Sequence, residues 1–274
     1  MNNMKTVFLL TLLTVVLVIV GELVGGTQGM MFFFILALIF NMGSYWFSDK
    51  IVLRMYRAKP APDNSRLTET VRRVSQMAGL PMPKVYLIDK PHANAFATGR
   101  NPNHAAIAAT TGLLDLLDNQ ELEGVVAHEL AHIGNRDILI GTIAAVIAGT
   151  ITIVSRLAWF TGGDDDNNPY LGILIMITAP IAAVLIQMAV SRSREFAADQ
   201  TGAGYIHNPD GLASSLQKLH VSSKKIKLNV NPATAHMFIV NPLSARGMGK
   251  LFSTHPPLEE RIARLKAMAR GAIN

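Results

Sequence analysis

Two histidines one helical turn apart flank a glutamate in His128-Glu129-Leu130-Ala131-His132. On a helix, positions i and i+4 share a face, so both imidazoles can grip one zinc ion. Glu129 then stands next to the coordination position left open for water. A metal ion lowers the pKa of such a water, and a neighbouring carboxylate can take the released proton. That is the chemistry of metal-assisted amide hydrolysis. The bland alternative is a pair of core or surface histidines, and the flanking residues weigh against it. Asp118 and Glu121 stand at capping-box spacing, and Leu122, Val125, Val126, Leu130 and Ile133 recur at helical intervals. The pattern predicts one helix over 119–137 carrying both histidines on one face, with no proline to break it.

A catalytic zinc site needs a third protein ligand. The chain has no cysteine, so that ligand must be His, Asp or Glu. Glu195, in Ser193-Arg194-Glu195-Phe196-Ala197-Ala198-Asp199, is the best candidate. Asp199 lies one turn further along the same face. There it can accept the free N–H of a ligand histidine and fix its tautomer. On spacing alone, a solvated Arg-Glu-Asp face remains the competing reading.

The elements that must position these residues are unusually apolar. Half of the 274 residues are hydrophobic and 16% are charged, too few charges for an ordinary soluble domain. Uncharged runs cover 6–21, 23–48, 138–155 and 169–191. Each approaches the ~20 residues that cross a bilayer core. Glycines 25, 26 and 29 divide the first long stretch, so four transmembrane helices are expected near 5–24, 30–48, 138–158 and 170–191. A cleaved signal peptide is the rival for the first segment, but no small-x-small cleavage site follows it. Buried core helices are the rival for the third and fourth, and the third, rich in Ala, Gly and Thr, is the weakest span. Lys5, Lys50, Arg54, Arg57, Lys59, Arg136, Arg192 and Arg194 all flank one side of these segments, whereas the turn at 25–29 and the loop at 161–169 hold no basic residue. Positive flanks mark the cytoplasmic side, so both termini and the histidine motif are expected there. The net charge of +6 therefore fits anionic headgroups of a lipid bilayer better than nucleic acid, for which no module is present.

The polar segments 49–137 and 192–274 are long enough for one domain interrupted by the second hairpin, 138–191, with 1–48 as the first hairpin. Pro60-Ala61-Pro62 reads as a linker. Leu67, Val71, Val74 and Met77 mark an amphipathic helix closed by Gly79 and Pro81, and 84–89 reads as a strand. Residues 94–99 and 104–111 read as further strands across an Asn-Pro-Asn turn and are the best candidates for a sheet edge that binds substrate as an added strand. The fold class is thus α+β, mainly helical with a small sheet, plus four transmembrane helices. If the motif helix ran on into the third segment, His132 would lie ~9 Å, six residues, from Ile138; Glu195 would lie ~7.5 Å from Val190. The metal would then sit just above the membrane face, close to the parts of membrane proteins that leave the bilayer. Residues 221–243, rich in Lys, Asn and Pro, read as a loop over the site.

The H-E-x-x-H helix followed by E-x-x-x-D resembles the gluzincin metallopeptidases. The fuller pattern, with four apolar segments, Asn94-Ala95-Phe96-Ala97-Thr98-Gly99, HELAHIGNRD at 128–137, REFAAD at 194–199 and Thr254-His255-Pro256-Pro257, is similar to HtpX-type membrane proteases along the whole chain. The resemblance implies a zincin-like endopeptidase of the bacterial inner membrane with one Zn²⁺ per subunit, held by His128, His132 and Glu195, with Glu129 as catalytic base. It implies damaged or unfolded membrane proteins as substrates, a role in their quality control, and self-cleavage outside the membrane. It gives His255 either an oxyanion or a structural role. Arg261 is a further candidate to support the acidic site. Two other functions share parts of this pattern. A CAAX-type prenyl-protein peptidase has the same zinc motif, but encloses it in a chamber needing more helices. A non-catalytic membrane scaffold or metal-binding regulator would have no use for Glu129.

Overall fold

The computed structural model describes residues 2–143, 192–225, 239 and 256–272. The chain opens with α1 (Asn2–Met55), which loses helical geometry at Gly25 and Gly26, the latter at φ 58°. Only glycine takes that turn without strain. The two arms fold back on each other: Asn41 Nδ2 donates to Leu10 O at 3.2 Å and to Thr14 Oγ1 at 2.8 Å. Gly21 and Gly29 face each other so closely that a Cβ on either would strike the other's carbonyl. Small residues and an interhelical amide bond are how helices associate where water cannot drive them together. Among the described residues, one helix, Gly25–Phe47, is long and apolar enough to cross a membrane. It turns Phe32, Ile39 and Met42 outward. Beyond residue 143, the expected third and fourth spans lie outside the described residues.

The second arm does more than anchor. It continues past residue 48 and buries Val52 and Leu53 against Ile88, Phe96, Ala106 and Ala108 of the sheet. Tyr56 adds a ring contact with Phe96 at 4.9 Å. Arg57, at φ 53°, ends the helix.

The expected linker at Pro60 is instead a short strand, β1 (Lys59–Pro60), paired antiparallel with β2 (Lys84–Ile88). A proline is tolerated there because β1 is an outer strand. The sheet order is β1-β2-β4-β3, with β3 (Ala95–Asn101) and β4 (His104–Thr110) antiparallel and β4 parallel to β2. The near-continuous apolar run of β4 reflects burial on both faces. Ala105, Ile107 and Ala109 meet the helical core, while Ala106 and Ala108 meet the end of α1. Of the two expected substrate-edge segments, then, β4 is internal and β3 is the outer strand.

Between the strands, α2 (Arg66–Ala78) is capped by Ser65 and stopped by Gly79 at φ 65°. After α3 (Thr111–Leu116), α4 (Asn119–Gly134) starts from the capping box of Asp118 and Glu121. It stops three residues short of the expected 137, because Arg136 adopts φ 58° and turns the chain. Helix resumes at 138–143, where Ile138, Ile140, Thr142 and Ile143 are buried. The expected third span therefore begins inside the protein core, and its helix is not an extension of the motif helix. Of the remaining described helices, α5 (Arg192–Ile206) and α6 (Pro209–Lys225) pack against α4, and α7 (Leu258–Ala269) packs on α6 and α5. One close approach matters most for the site. A Cβ at Gly202 would lie 2.9 Å from the backbone of Ala127 and His128, so only glycine lets α5 cross α4 at the histidine motif.

Candidate metal centre

The capping box and apolar stripe of α4 place His128 and His132 on one side, their rings 4.7 Å apart and nearly perpendicular. The two Nε2 atoms stand 3.2 Å apart. Helix α5 delivers Glu195 from across the Gly202 contact. Its Oε1 lies 3.6 Å from His132 Nε2, and its Oε2 lies 3.9 Å from His128 Nε2. Two ligands of a tetrahedral zinc ion with bonds of ~2.0–2.1 Å stand roughly 3.3–3.5 Å apart, so this donor set fits one ion. Glu129, buried, sits on the same turn of α4.

Charge around the three donors is arranged in two arms. On one side, His128 Nδ1 is 2.9 Å from Asp199 Oδ1. Asp199 in turn receives two bonds of 2.7 Å from the Arg261 guanidinium. Arg261 is 1% exposed, reaches Glu195 Oε2 at 3.4 Å, and donates to the carbonyl of Ile239 at 3.2 Å. Burial alone would raise the Asp199 carboxyl, but Arg261 and His128 hold it below its usual value. Burial likewise opposes the charge on Arg261, and Asp199, Glu195 and Glu129 outweigh it, so the guanidinium is held more firmly protonated than usual.

On the other side, His132 Nδ1 is 3.4 Å from Asp137 Oδ2, and Asp137 Oδ1 is 3.9 Å from Arg194 Nε. Burial pushes the His132 pKa down. The Asp137 hydrogen bond, with the charges of Glu195, Glu129 and Asp137, pushes it further up, to about 8. Glu129, Asp137, Glu195 and Asp199 against Arg194 and Arg261 make four formal negative charges and two positive ones. A divalent cation would neutralise the difference.

The structure thus brings together His128, Glu129, His132, Glu195 and Asp199, and Arg261 with them. His255 lies outside the described residues, as do 226–238 and 240–243 of the expected loop. Sequence reasoning missed Asp137 and Arg194. On a helix running through 137, Asp137 would point ~140° away from His132. The left-handed turn at Arg136 brings it back. Arg194 looked like one more membrane-flanking cation.

A mainly helical domain with a small mixed sheet, an H-E-x-x-H helix and a glutamate from a later helix defines a metallopeptidase of the zincin type. The chain belongs to peptidase family M48, whose model matches residues 61–269. It is 56% identical to the "Protease HtpX homolog" of Desulfatibacillum aliphaticivorans, over 96% of this chain and 89% of that one. It is 52% identical to the protein of the same name from Syntrophobacter fumaroxidans, over 97% and 99%. Among solved structures, its fold is similar to that of Ste24p from S. mikatae, with a TM-score of 0.50 and 19% identity. That match covers 86% of this chain and 57% of the other.

Proposed function

We propose that this metalloprotease is a multi-pass zinc endopeptidase of the bacterial inner membrane. In this reading it cleaves damaged or misfolded membrane proteins at the cytoplasmic face. The observation that carries the reading is the convergence of His128, His132 and Glu195 on one point, with Glu129 beside it. Two imidazoles and a carboxylate are a donor set that suits zinc. When bound, the ion supplies a water of lowered pKa and polarises the scissile carbonyl.

Every other part of the chemistry belongs to the protein. His128 and His132 would hold the ion through Nε2, since their Nδ1 atoms face Asp199 and Asp137. Glu129 takes the proton of the attacking water and returns it to the leaving amine, as a general base and then a general acid. Substrate binds extended along β3. Asn94 exchanges bonds with Thr110 across the ladder, Thr110 N donating to Asn94 O and Asn94 N to Thr110 Oγ1. By strand alternation, the backbone groups of Ala95 and Ala97 then face the outer edge, where an added strand can pair. Among the described residues, no strand lies beyond β3.

The basic flanks of the apolar segments support a cytoplasmic active site, and the names of the relatives support turnover of polypeptides. The decisive comparison is detergent-purified wild type against Glu129→Gln, each assayed for zinc and for cleavage of an unfolded membrane protein. Equal zinc, with cleavage by wild type alone, is the expected result. Equal zinc with neither protein cleaving anything would refute the reading.

A further inference from the structure

We infer that Asp137 is a positioning residue for the metal ligand His132, doing for that imidazole what Asp199 does for His128. The inference rests on the zinc peptidase reading above and deepens it. Three observations converge on it. Asp137 is 8% exposed and its Oδ2 lies 3.4 Å from His132 Nδ1, on the ring edge opposite the metal-facing Nε2. Its backbone is tied to the same residue, Asp137 N donating to His132 O at 2.9 Å. Its second oxygen lies 3.9 Å from Arg194 Nε, on the residue next to the ligand Glu195. Asp137 therefore stands between one ligand on α4 and the base of the helix that carries another.

The two arms of the centre follow one plan, His128–Asp199–Arg261 and His132–Asp137–Arg194. A neutral histidine that ligates through Nε2 must keep its proton on Nδ1, and a carboxylate beside Nδ1 selects that tautomer. The left-handed turn at Arg136 is what permits the contact, since a regular helix would carry Asp137 round to the far side. Asp137 also begins the helix at 138–143, so a purely local capping role is the competing explanation and the test has to separate the two.

Asparagine caps a helix as well as aspartate does, but its amide can donate to Nδ1 and so favour the tautomer that cannot bind metal. The experiment uses the full chain in detergent, stripped of metal, in a Glu129→Gln background that cannot cleave itself. Zinc affinity is measured against a competing chelator, and cobalt is added as a spectroscopic substitute. Asp137→Asn is expected to weaken zinc binding about 10- to 100-fold and to shift the cobalt absorption bands, while the metal-free protein still folds and unfolds cooperatively. Asp137→Ser, which still caps but is too short to reach the ring, is expected to lose at least as much. Zinc affinity within threefold of the parent and an unshifted cobalt spectrum, in either variant that folds, would overturn the inference. The same titration on the parent keeps the two readings apart. A parent that binds no zinc refutes the metal centre itself, whereas tight binding by parent and variants alike refutes only the role of Asp137.

Discussion

The residues of the centre are coupled so tightly that removing one exposes the charge of another. Arg261 is the clearest case. It is 1% exposed and bridges Asp199 and Glu195, two buried acids on one face of α5. Arg261→Met strands both, and stranding a buried charge costs about 3–5 kcal/mol. Thermal melting of the metal-free protein should fall accordingly, with Arg261→Lys recovering only part, because an ammonium cannot make the two-pronged contact. A melting temperature unchanged in Arg261→Met would contradict the bridge. Protons compete with metal at His132. Its pKa near 8 in the metal-free site means that zinc must displace a proton at neutral pH. Apparent zinc affinity should therefore climb about tenfold per pH unit up to about 8 and level off above. For the metal-free fold the sign is reversed. A raised histidine pKa contributes stability that is complete below 6.5 and disappears as pH passes 8. A chelator-competition titration across this range checks the slope, and a flat profile would count against it.

At the scale of elements, the centre depends on how closely α5 can approach α4. Gly202 sets that distance, since a Cβ would sit 2.9 Å from the carbonyl carbon and oxygen of Ala127 and the nitrogen of His128. Backbone cannot swing aside as a side chain can, so Gly202→Val must push α5 outward and carry Glu195 with it. The expected loss is about 1–3 kcal/mol in stability, from overpacking, together with weaker zinc binding. If Gly202→Val bound zinc as tightly as wild type, the crossing would not set the ligand distance. A second joint lies between the 138–143 helix and β3, the strand proposed to receive substrate. The Thr142 hydroxyl, at 1% exposure, accepts from Gly99 N at 3.3 Å and meets Thr98 Oγ1 at 3.1 Å. Thr142→Val leaves those groups buried and unpaired, a cost of about 1–3 kcal/mol. It should raise KM more than it lowers kcat, because the strand that receives substrate loosens while the metal ligands stay put. Steady-state kinetics on one peptide separates the two effects. The elements themselves were largely legible in sequence, for a physical reason: a capping box, an apolar stripe and a turn-flanked strand are local signals. What escaped was non-local or hung on a single dihedral. The pairing of β1 with β2 needs a partner 28 residues away, at Leu87 for Lys59. The placement of β4 between β2 and β3 is invisible in its own run of alanines. The turn at Arg136 shortened the motif helix and hid Asp137; Gly134 and Asn135, weak helix formers just before it, were the local signal for that stop.

For the whole molecule, the question is how the apolar helix and the proposed peptide-binding edge are held together. The second arm of α1 does this as a single rod. Its Gly25–Phe47 portion has the length and composition of a span, and about one and a half turns later the same helix buries Val52 and Leu53 in the sheet. Trp46, about half exposed, stands at the junction, and its ring is of the amphipathic kind that gathers at a membrane–water boundary. Arg100 stacks on the Trp46 ring at 4.5 Å, so the far end of β3 is fastened at that level. From the level of that tryptophan β3 runs back five residues, ~17 Å of extended strand, to Ala95; Gly99 N is taken by Thr142, so the proposed substrate edge is the far part, Ala95–Ala97. A chain leaving the bilayer beside Trp46 and pairing with Ala95–Ala97 needs about five extended residues to get there. This predicts a dependence on tether length. A single-span substrate whose cleavable segment starts only about two residues from the bilayer should be cut poorly. One with about six to ten intervening residues should be cut fastest, and much longer tethers should lose rate slowly as the local concentration of the site falls. The same segment free in solution should need a far higher concentration for equal rate. Reconstituting the enzyme with a graded series of such substrates gives the profile directly. Rates independent of both tether and length would mean that the edge strand and the bilayer are not aligned, and that the anchor serves only to keep the protease at the membrane.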